Sequence, residues 1–431
     1  MTLAQLINVL YSVVDRVYIG HLQGVSANAL TGIGLALPII TIITAFANLF
    51  GMGGAPLCSI ARGSHEEEKA EKVMGNSCSM LLFTGGLLMG ISLIFRKPLL
   101  YLFGASSATF PYANAYISIY LCGTVFVMIS LGMNQFINSQ GFGKIGMLTV
   151  MLGAFTNIVL DPIFIFGFHM GVRGAALATV LSQAISAVWA IRFLSGKDTV
   201  LRLKKENFRI RKDVMVPCIG LGFAPFIMQS TESILVLCFN SSLLKYGGDL
   251  AVGAMTILSS VMQFAMLPLQ GLGQGAQPII SYNYGARNEK RVKSAFRLLL
   301  KVSLFYSLLL WGLVMLFPRA FAGMFTSDGT LMNFTETALR VYMAALFIFG
   351  IQMACQMTFM SIGNAKASIL VAVMRKFVLL IPLIYLMPLI FDGDKTKAVY
   401  MAEPVADTFA VIFTVVLFAR QFKKALAEIS R

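Results

Sequence analysis

Apolar and polar positions follow each other along this chain in long blocks. Uncharged apolar runs of about 20 residues recur from one end to the other, with short polar loops between them. An α-helix of that length crosses the hydrocarbon core of a bilayer. The pattern therefore predicts an all-α polytopic membrane protein with twelve transmembrane helices, at approximately 2–20, 30–60, 73–95, 113–139, 144–168, 172–195, 214–240, 250–280, 295–317, 334–362, 366–389 and 398–420.

The two halves of the chain repeat each other at a constant offset of 222 residues. Duplicated apolar halves are typical of transporters whose binding sites lie between the repeats. Matched pairs include Gly51 and Gly273, Pro56 and Pro278, Ser139 and Ser361, and Lys144 and Lys366. We predict two pseudo-symmetric six-helix lobes at 1–195 and 214–420, with a basic cytoplasmic linker at 196–213 between them and a cytoplasmic tail at 421–431.

Composition excludes a soluble protein of this length. Apolar residues make up 57% of the chain and charged residues only 12%, whereas soluble domains carry about 25% charged residues. A net charge of +15 could indicate nucleic-acid binding. Most of the Lys and Arg residues, however, lie on alternate loops, which the positive-inside rule places in the cytoplasm together with both chain ends. We therefore expect the lipid bilayer as a partner and no nucleic acid.

The predicted linker at 196–213 alternates cations with Leu201, Leu203, Phe208 and Ile210. Such a strip can lie on the cytoplasmic leaflet, where Lys and Arg meet anionic lipid. A solvated basic linker is the alternative that the same residues allow.

Asp161 is a carboxylate deep in an otherwise uncharged predicted helix. Burial of such a charge is unfavourable unless the group is protonated, paired or hydrated. Asn157 lies one turn earlier on the same face, and Pro162 cannot donate a backbone hydrogen bond, which leaves the Ile158 carbonyl free. Carboxylate, amide and carbonyl oxygens suit a hard cation such as Na⁺, or a protonatable acid with a hydrogen-bond partner. A capped helix end broken by the proline is the alternative.

Two further polar residues are candidates in the first half. Asp15 lies in the first predicted helix, with tyrosine and serine hydroxyls on its own face. Pairing with Arg16 near the outer interface is the alternative for this acid. Thr179 lies among small residues of the sixth predicted helix, and taken alone it reads as a packing residue.

In the second half, Glu232 lies inside the seventh predicted helix, with Gln229 three residues before it. The two are candidates for a secondary protonation or substrate site, and a polar contact of Glu232 with Gln229 or Ser233 is the alternative. Arg375 and Lys376 are expected to extend their side chains to the cytoplasmic face. The sequence has no P-loop, so we expect no ATP-driven cycle, no cofactor and no enzymatic activity.

Residues 270–292 (QGLGQGAQPIISYNYGARNEKRV), 157–179 (NIVLDPIFIFGFHMGVRGAALAT) and 13–22 (VVDRVYIGHL) carry a family resemblance. They are similar to the multidrug and toxic compound extrusion (MATE) family, and the resemblance covers essentially the whole chain. It is strongest for the bacterial and archaeal branch that includes the DNA-damage-inducible-type and staphylococcal-type multidrug pumps.

The resemblance implies a monomeric antiporter of a prokaryotic plasma (inner) membrane that expels small organic cations against inward Na⁺ or H⁺. In related members the cation site uses acids of helices 1 and 5 with polar partners on helices 5 and 6. Those positions match Asp15, Asn157, Asp161 and Thr179 here, with Na⁺ as one candidate ion. Relatives usually carry further residues before helix 1, so we expect a short first helix, either native or truncated.

The resulting prediction is a secondary active multidrug efflux antiporter that works by rocker-switch alternating access. The alternative on the same fold is a flippase for a lipid-linked precursor, which predicts a cationic cavity for pyrophosphate. A membrane-embedded enzyme would need convergent His/Asp or Ser/Lys residues inside the helices, and the sequence shows none. A passive channel fits poorly with two unequal halves.

Overall fold

A computed structural model describes residues 18, 26–326, 328–391 and 393–430. Almost all of them are helical, and none of those described is in a strand. In chain order the α-helices are α1 (Ser26–Gly63), α2 (Glu67–Leu102), α3 (Phe110–Cys122), α4 (Thr124–Ser139), α5 (Gly143–Pro162), α6 (Val172–Ser195), α7 (Lys212–Gly285), α8 (Glu289–Leu316), α9 (Pro318–Gly323), α10 (Gly329–Tyr342), α11 (Leu346–Ser361), α12 (Ala365–Val373), α13 (Ile381–Ile390) and α14 (Lys395–Ile429).

Within the described part of the chain, 8 helical segments are long and apolar enough to cross a membrane, or up to 10 if each of two bent pairs is one span. Helix α7 has 74 residues and consists of two helices that meet at Gly248, whose φ of 65° is not helical. It therefore covers two of the predicted spans. The first predicted helix lies outside the described residues, apart from Tyr18. The prediction of an all-α polytopic membrane protein is confirmed.

Two spans that the hydropathy predicts as continuous, 113–139 and 334–362, are broken. Helices α3 and α4 meet at Gly123 with a bend of 57°, and α10 and α11 meet with a bend of 51°. A Cβ at Gly123 would lie 2.5 Å from the side chain of Val180, so the break allows α6 to approach closely. Ala345, at the 222-residue offset from Gly123, lies in the second break.

The described residues divide into two compact units. Unit 1 extends to Gln229 and unit 2 covers Ser230–Arg431, so the division falls inside α7. The backbone repeats as the sequence does, because left-handed φ values recur at residues 222 positions apart. The matched values are 60° at His65 and 53° at Arg287, and 92° at Gly141 and 76° at Gly363.

The beginning of α7 packs within unit 1 through glycines. Gly53 of α1 lies against Cys218, since a Cβ at Gly53 would overlap the Cys218 carbonyl oxygen. A Cβ at Gly222 would likewise overlap the Leu49 carbonyl. The two backbones are therefore in direct contact, as small residues allow between membrane helices. This contact explains why the first turns of α7 belong to unit 1.

The segment between α6 and α7 docks on unit 1. Leu201 is fully buried in the core of the unit. The short 3₁₀-helix Lys205–Phe208 follows it. Asn76 of α2 donates to the Asn207 carbonyl oxygen at 3.1 Å and accepts from the Arg211 backbone N–H at 2.7 Å. These tertiary hydrogen bonds hold the segment near the beginning of α2, while most of its basic side chains remain exposed.

Glu71 of α2 holds the same segment by charge. Its Oε2 pairs with Lys204 Nζ at 2.6 Å, and its Oε1 accepts from the Arg202 backbone N–H at 3.1 Å. The hydrogen bond to Glu71 keeps the pKa of Lys204 above its ordinary value. Gly75, one turn further along α2, leaves room for Asn207, because a Cβ at Gly75 would lie 2.6 Å from the Asn207 Cβ.

Candidate functional site

A buried polar cluster lies in unit 1 where α5 meets α6. Asn157 and Asp161 on α5 are both 0% exposed, and Thr179 on α6 is 7% exposed. Asn157 Nδ2 donates to Asp161 Oδ1 at 3.2 Å and to Thr179 Oγ1 at 3.5 Å. The structure thus brings together three of the four residues predicted for the cation site.

Small residues set the position of this cluster. A Cβ at Gly153 of α5 would overlap a serine hydroxyl of α6, and a Cβ at Gly174 would lie 2.7 Å from the backbone of Phe164. The two helices therefore approach closely. Thr179 turns its hydroxyl to donate to the Ala175 carbonyl at 3.0 Å, one turn back on α6. After Pro162 the chain continues as a π-helical turn, Ile163–Gly167.

The oxygen atoms of the cluster are suited to a cation. Asn157 Oδ1 is buried and accepts no hydrogen bond from any residue that the structure describes. Carboxylate, amide and hydroxyl oxygens are ligands of hard cations. The amide and hydroxyl oxygens can also accept a hydrogen bond from a protonated carboxyl group. Asp15, the fourth predicted residue, lies outside the described residues. Tyr18 is described, and its ring makes an edge contact with Phe166 at 6.3 Å between centroids.

A small polar pocket that the sequence analysis missed lies one turn from the cluster. Its volume is about 30 Å³, which is enough for a water molecule. Gln183, one turn after Thr179 on α6, lines it together with Asn134 of α4 and Gly153. Gln183 Oε1 and Asn134 Oδ1 are buried and accept no hydrogen bond from described residues. The spacing of Thr179 and Gln183 by one helical turn was the available signal for this polar face.

A different cluster, rich in charge, lies in unit 2 and is buried except for Glu232, whose side chain is 59% exposed. Arg375 donates to Asp407 Oδ1 at 2.7 Å and to Glu403 Oε1 at 2.9 Å, and all three side chains are at most 6% exposed. Lys376 Nζ pairs with Glu232 Oε1 at 2.7 Å. The Arg375 guanidinium also lies over the ring of Phe349, 4.8 Å from its centroid. Three carboxylates therefore meet two cations.

This unit 2 cluster corrects the expectation for Arg375 and Lys376. Neither side chain extends to the cytoplasmic face, since they are 5% and 4% exposed and both are paired. Glu403 and Asp407, which stand one turn apart on α14, were not among the residues predicted from the sequence. Their spacing of four residues was a signal, because two acids on one face of an apolar helix require partners.

Glu232 and Gln229 have different hydrogen-bond partners in the structure. Glu232 is paired with Lys376, in place of the polar contacts with Gln229 or Ser233 that the sequence allowed. Gln229 makes its hydrogen bonds to α1 in unit 1. Its Nε2 donates to Thr44 Oγ1 at 2.6 Å, and its Oε1 accepts from Asn48 Nδ2 at 2.7 Å.

The fold and these buried polar clusters define a polytopic membrane transporter built from two repeated units. The MatE family model matches residues 1–163 and 225–386, one segment in each half of the chain. The chain therefore belongs to the MatE family of MATE transporters, and the resemblance stated from its residues is confirmed.

Two staphylococcal proteins are similar to this chain over most of its length. The chain is 27% identical over 392 residues to the multidrug export protein MepA of Staphylococcus haemolyticus, which covers 91% of this chain and 85% of the relative. It is 26% identical over 395 residues to MepA of Staphylococcus aureus strain NCTC 8325, with 91% and 86% covered. These similarities place it with the MepA-like type.

Two solved structures have the same fold as this chain. A crystal structure of MATE in the bent conformation has a TM-score of 0.93 at 23% identity, covering 100% of this chain and 95% of that one. An outward-facing multidrug resistance MATE family transporter of the MOP superfamily has a TM-score of 0.90 at 24% identity, with 99% and 94% covered.

Proposed function

We propose that this chain is a multidrug efflux antiporter that exports small, mostly cationic organic compounds in exchange for inward Na⁺ or H⁺. Two findings support a drug-export role. The relatives similar to it over 91% of its length are multidrug export proteins. In addition, the predicted site residues Asn157, Asp161 and Thr179 meet in one buried cluster.

The observation that carries the proposal is the burial of the Asp161 carboxylate at 0% exposure beside an amide and a hydroxyl. A carboxylate inside a membrane helix indicates a functional site, because burying its charge in the bilayer is energetically unfavourable. Binding of Na⁺ or a proton neutralises it at the moment when the site closes. Asp15 is the second acid that we assign to this site.

Each residue has a role in this proposal. Asp161 and Asp15 supply the negative charge that the coupling cation neutralises. Asn157 holds one Asp161 oxygen by its Nδ2 and offers Oδ1 to the ion, and Thr179 adds a hydroxyl oxygen. The small pocket lined by Gln183 gives water a place beside the site, so an arriving ion can exchange its hydration shell for protein oxygens.

Antiport requires that cargo and coupling cation disfavour each other's binding. A coupling free energy of about 1–3 kcal/mol is enough to shift an alternating-access equilibrium in this way. A cationic cargo fits an acidic site by charge, because each positive ligand weakens the other. We therefore propose rocker-switch exchange between inward- and outward-facing states.

Glu232 and Gln229 remain proposed members of a secondary protonation or substrate site. In unit 2 the three carboxylates Glu232, Glu403 and Asp407 exceed the two cations by one. One formal negative charge is therefore left for a proton or a cationic cargo. Gln229 supplies an amide on the same helix as Glu232.

The test is ethidium efflux from cells that express the chain, with the Na⁺ and H⁺ gradients collapsed separately. Efflux that stops when one gradient is removed and persists without the other would establish coupled antiport and identify the ion. Efflux that survives the loss of both gradients would refute the proposal and favour a passive channel.

A flippase for a lipid-linked precursor is the second candidate. Arg375 and Lys376 favour it, because these cations lie buried in unit 2. Their pairing with Glu232, Glu403 and Asp407 counts against it, since a pyrophosphate would have to displace these acids. Rescue of a flippase-deficient strain by this chain, without any drug efflux, would decide for the flippase.

We also propose a setting for the protein. It is a monomer in the plasma (inner) membrane of a prokaryote, with both chain ends in the cytoplasm. The orientation rests on the excess of Lys and Arg in alternate loops. Reporter fusions at the two ends, active only on the cytoplasmic side, would test it.

A further inference from the structure

A groove with a volume of about 500 Å³ lies in unit 2 between the beginning of α8 and the end of α14. It plays no part in the proposed transport site. The residues that matter in its lining are Lys293, Phe296, Arg297, Phe422, Lys423 and Leu426. Its walls are therefore apolar and aromatic, whereas its rim is basic.

The floor of the groove is a packed aromatic cluster. The ring of Phe296 lies 4.6 Å from that of Phe418 and 5.1 Å from that of Phe422, between centroids. Phe418 and Phe422 stack at 4.8 Å, and Phe359 meets Phe418 edge-on at 5.2 Å. Rings that hold each other in this way form a stable apolar surface.

The rim carries positive charge that the protein does not neutralise. Lys293 pairs with Glu289 one turn earlier on α8. Arg297 and Lys423 also line the groove, and neither forms an ion pair with any residue in the described ranges. Both are exposed. The groove therefore presents an excess of positive charge to whatever enters it.

The equivalent place in unit 1 is filled by the chain itself. At the 222-residue offset, Lys293 corresponds to Glu71 and Arg297 to Gly75. Those two residues of α2 contact the docked linker, through Lys204 and Asn207 respectively. In unit 2 the described chain continues along α14 as far as Ser430, which lines the open groove.

Apolar surface continues from the groove along both helices. On α8, Phe305 lies two turns beyond Arg297 on the same face and is 68% exposed. On α14, Val415 and Val416 lie one turn before Ala419, a lining residue, and are 42% and 50% exposed. Exposed apolar faces of membrane-spanning helices contact lipid chains.

We infer that this groove binds one anionic phospholipid, with its phosphate at Arg297 and Lys423 and its acyl chains on the apolar faces of α8 and α14. Basic pockets between membrane helices bind acidic lipid head groups in this way. A soluble phosphate would use the cations but gain nothing from the aromatic floor, so the two-part surface favours a lipid.

The test uses the purified full chain in detergent and native mass spectrometry of bound lipid. Phosphatidylglycerol and phosphatidylcholine with identical acyl chains are titrated, and glycerol 3-phosphate serves as the head group without tails. We expect selective binding of phosphatidylglycerol. The double variant R297Q/K423Q should weaken that binding by roughly thirtyfold, since two cations near the phosphate are removed.

Two further variants make the result decisive. Lys290 and Arg291, at the beginning of α8, lie outside the groove, and K290Q/R291Q removes the same charge without touching it. It should keep the selectivity. Ala419→Phe keeps every charge but fills the groove, and it should lose the lipid.

Three results would overturn the inference. Equal weakening by both double variants would mean diffuse surface charge. Binding of glycerol 3-phosphate as strong as that of phosphatidylglycerol would mean a soluble anion site. Unchanged lipid binding in A419F would mean that the lipid lies elsewhere.

Discussion

The two repeated units bury polar residues in different ways. In unit 1 the cluster consists of one described acid, Asp161, with an amide and a hydroxyl. In unit 2 three acids meet Arg375 and Lys376. At the 222-residue offset, the two cations stand where unit 1 has Gly153 and Ala154. One duplicated helix thus carries neutral small residues in one unit and two positive charges in the other.

The difference shows how two units with the same fold can differ in function. A buried ion pair supplies its own counter-charges, and it is rarely a source of net stability, although removing one partner is strongly unfavourable. The described neighbours of Asp161 are instead an amide and a hydroxyl, whose oxygens can also bind a cation. We therefore assign the coupling cation to unit 1 and regard the unit 2 cluster as mainly self-compensating.

The largest effect is expected from Asp161→Asn. The substitution keeps the shape and the hydrogen bond to Asn157 but removes the charge, so ethidium efflux should fall to the level of cells without the protein. Membrane insertion should be unchanged, as measured by the amount of protein in the membrane fraction. Asp213→Asn, which removes an exposed acid, is the control and should transport normally. Normal efflux by D161N would contradict the assignment of the coupling cation to unit 1.

Next in size is Arg375→Met in unit 2. It leaves Glu403 and Asp407 buried without their shared guanidinium, which should destabilise the protein by about 3–5 kcal/mol. Thermal melting in detergent would show this as a much lower Tm. The triple variant R375M/E403Q/D407N removes the charges together and should recover most of the loss. A Tm for R375M equal to that of the native chain would mean that the cluster is not self-compensating.

A third variant, Gly75→Val, tests the docked linker of unit 1. The added side chain would clash with Asn207, and such overpacking costs about 1–3 kcal/mol. We expect faster trypsin cleavage between residues 202 and 211. Gly86→Val on the same helix meets open space and carries the same helix-propensity cost, so it should leave the cleavage rate unchanged.

The smallest effect is expected from Thr179→Val, which removes one hydroxyl oxygen from the cluster. The loss of one hydrogen-bonding group is worth about 0.5–1.5 kcal/mol, or a drop of up to roughly tenfold in apparent affinity for the coupling ion. Efflux measured against the concentration of that ion would show it. Thr358→Val removes a similar hydroxyl in unit 2 and should not change the ion dependence. Equal shifts in both variants would argue against a ligand role for Thr179.

The parts of the site that the sequence predicts are those whose chemistry is local. Asp161 stands out because it is an acid in an apolar helix, and Asn157 lies one turn away on the same face. Thr179 required the family resemblance, since a lone threonine in a membrane helix has no distinctive pattern. Its contact with Asn157 is made only by the close packing of α5 and α6.

The parts that the sequence did not predict depend on tertiary contacts. Arg375 finds its partners 28 and 32 residues away, on another helix, and no local pattern connects them. The bend at Gly123 is hidden because hydropathy runs through it without interruption. The docked linker is held by Asn76 and Glu71 of α2, more than 120 residues earlier in the chain.

The central claim, that the coupling cation binds in unit 1, can be tested directly on the purified protein. Binding of ²²Na⁺ and proton uptake in weak buffer would be measured in parallel for the native chain, Asp161→Asn and Glu403→Gln. The account predicts that the exchangeable signal of the coupling cation is lost in D161N and kept in E403Q. A signal that survives in D161N and disappears in E403Q would place the coupling site in unit 2 and contradict it.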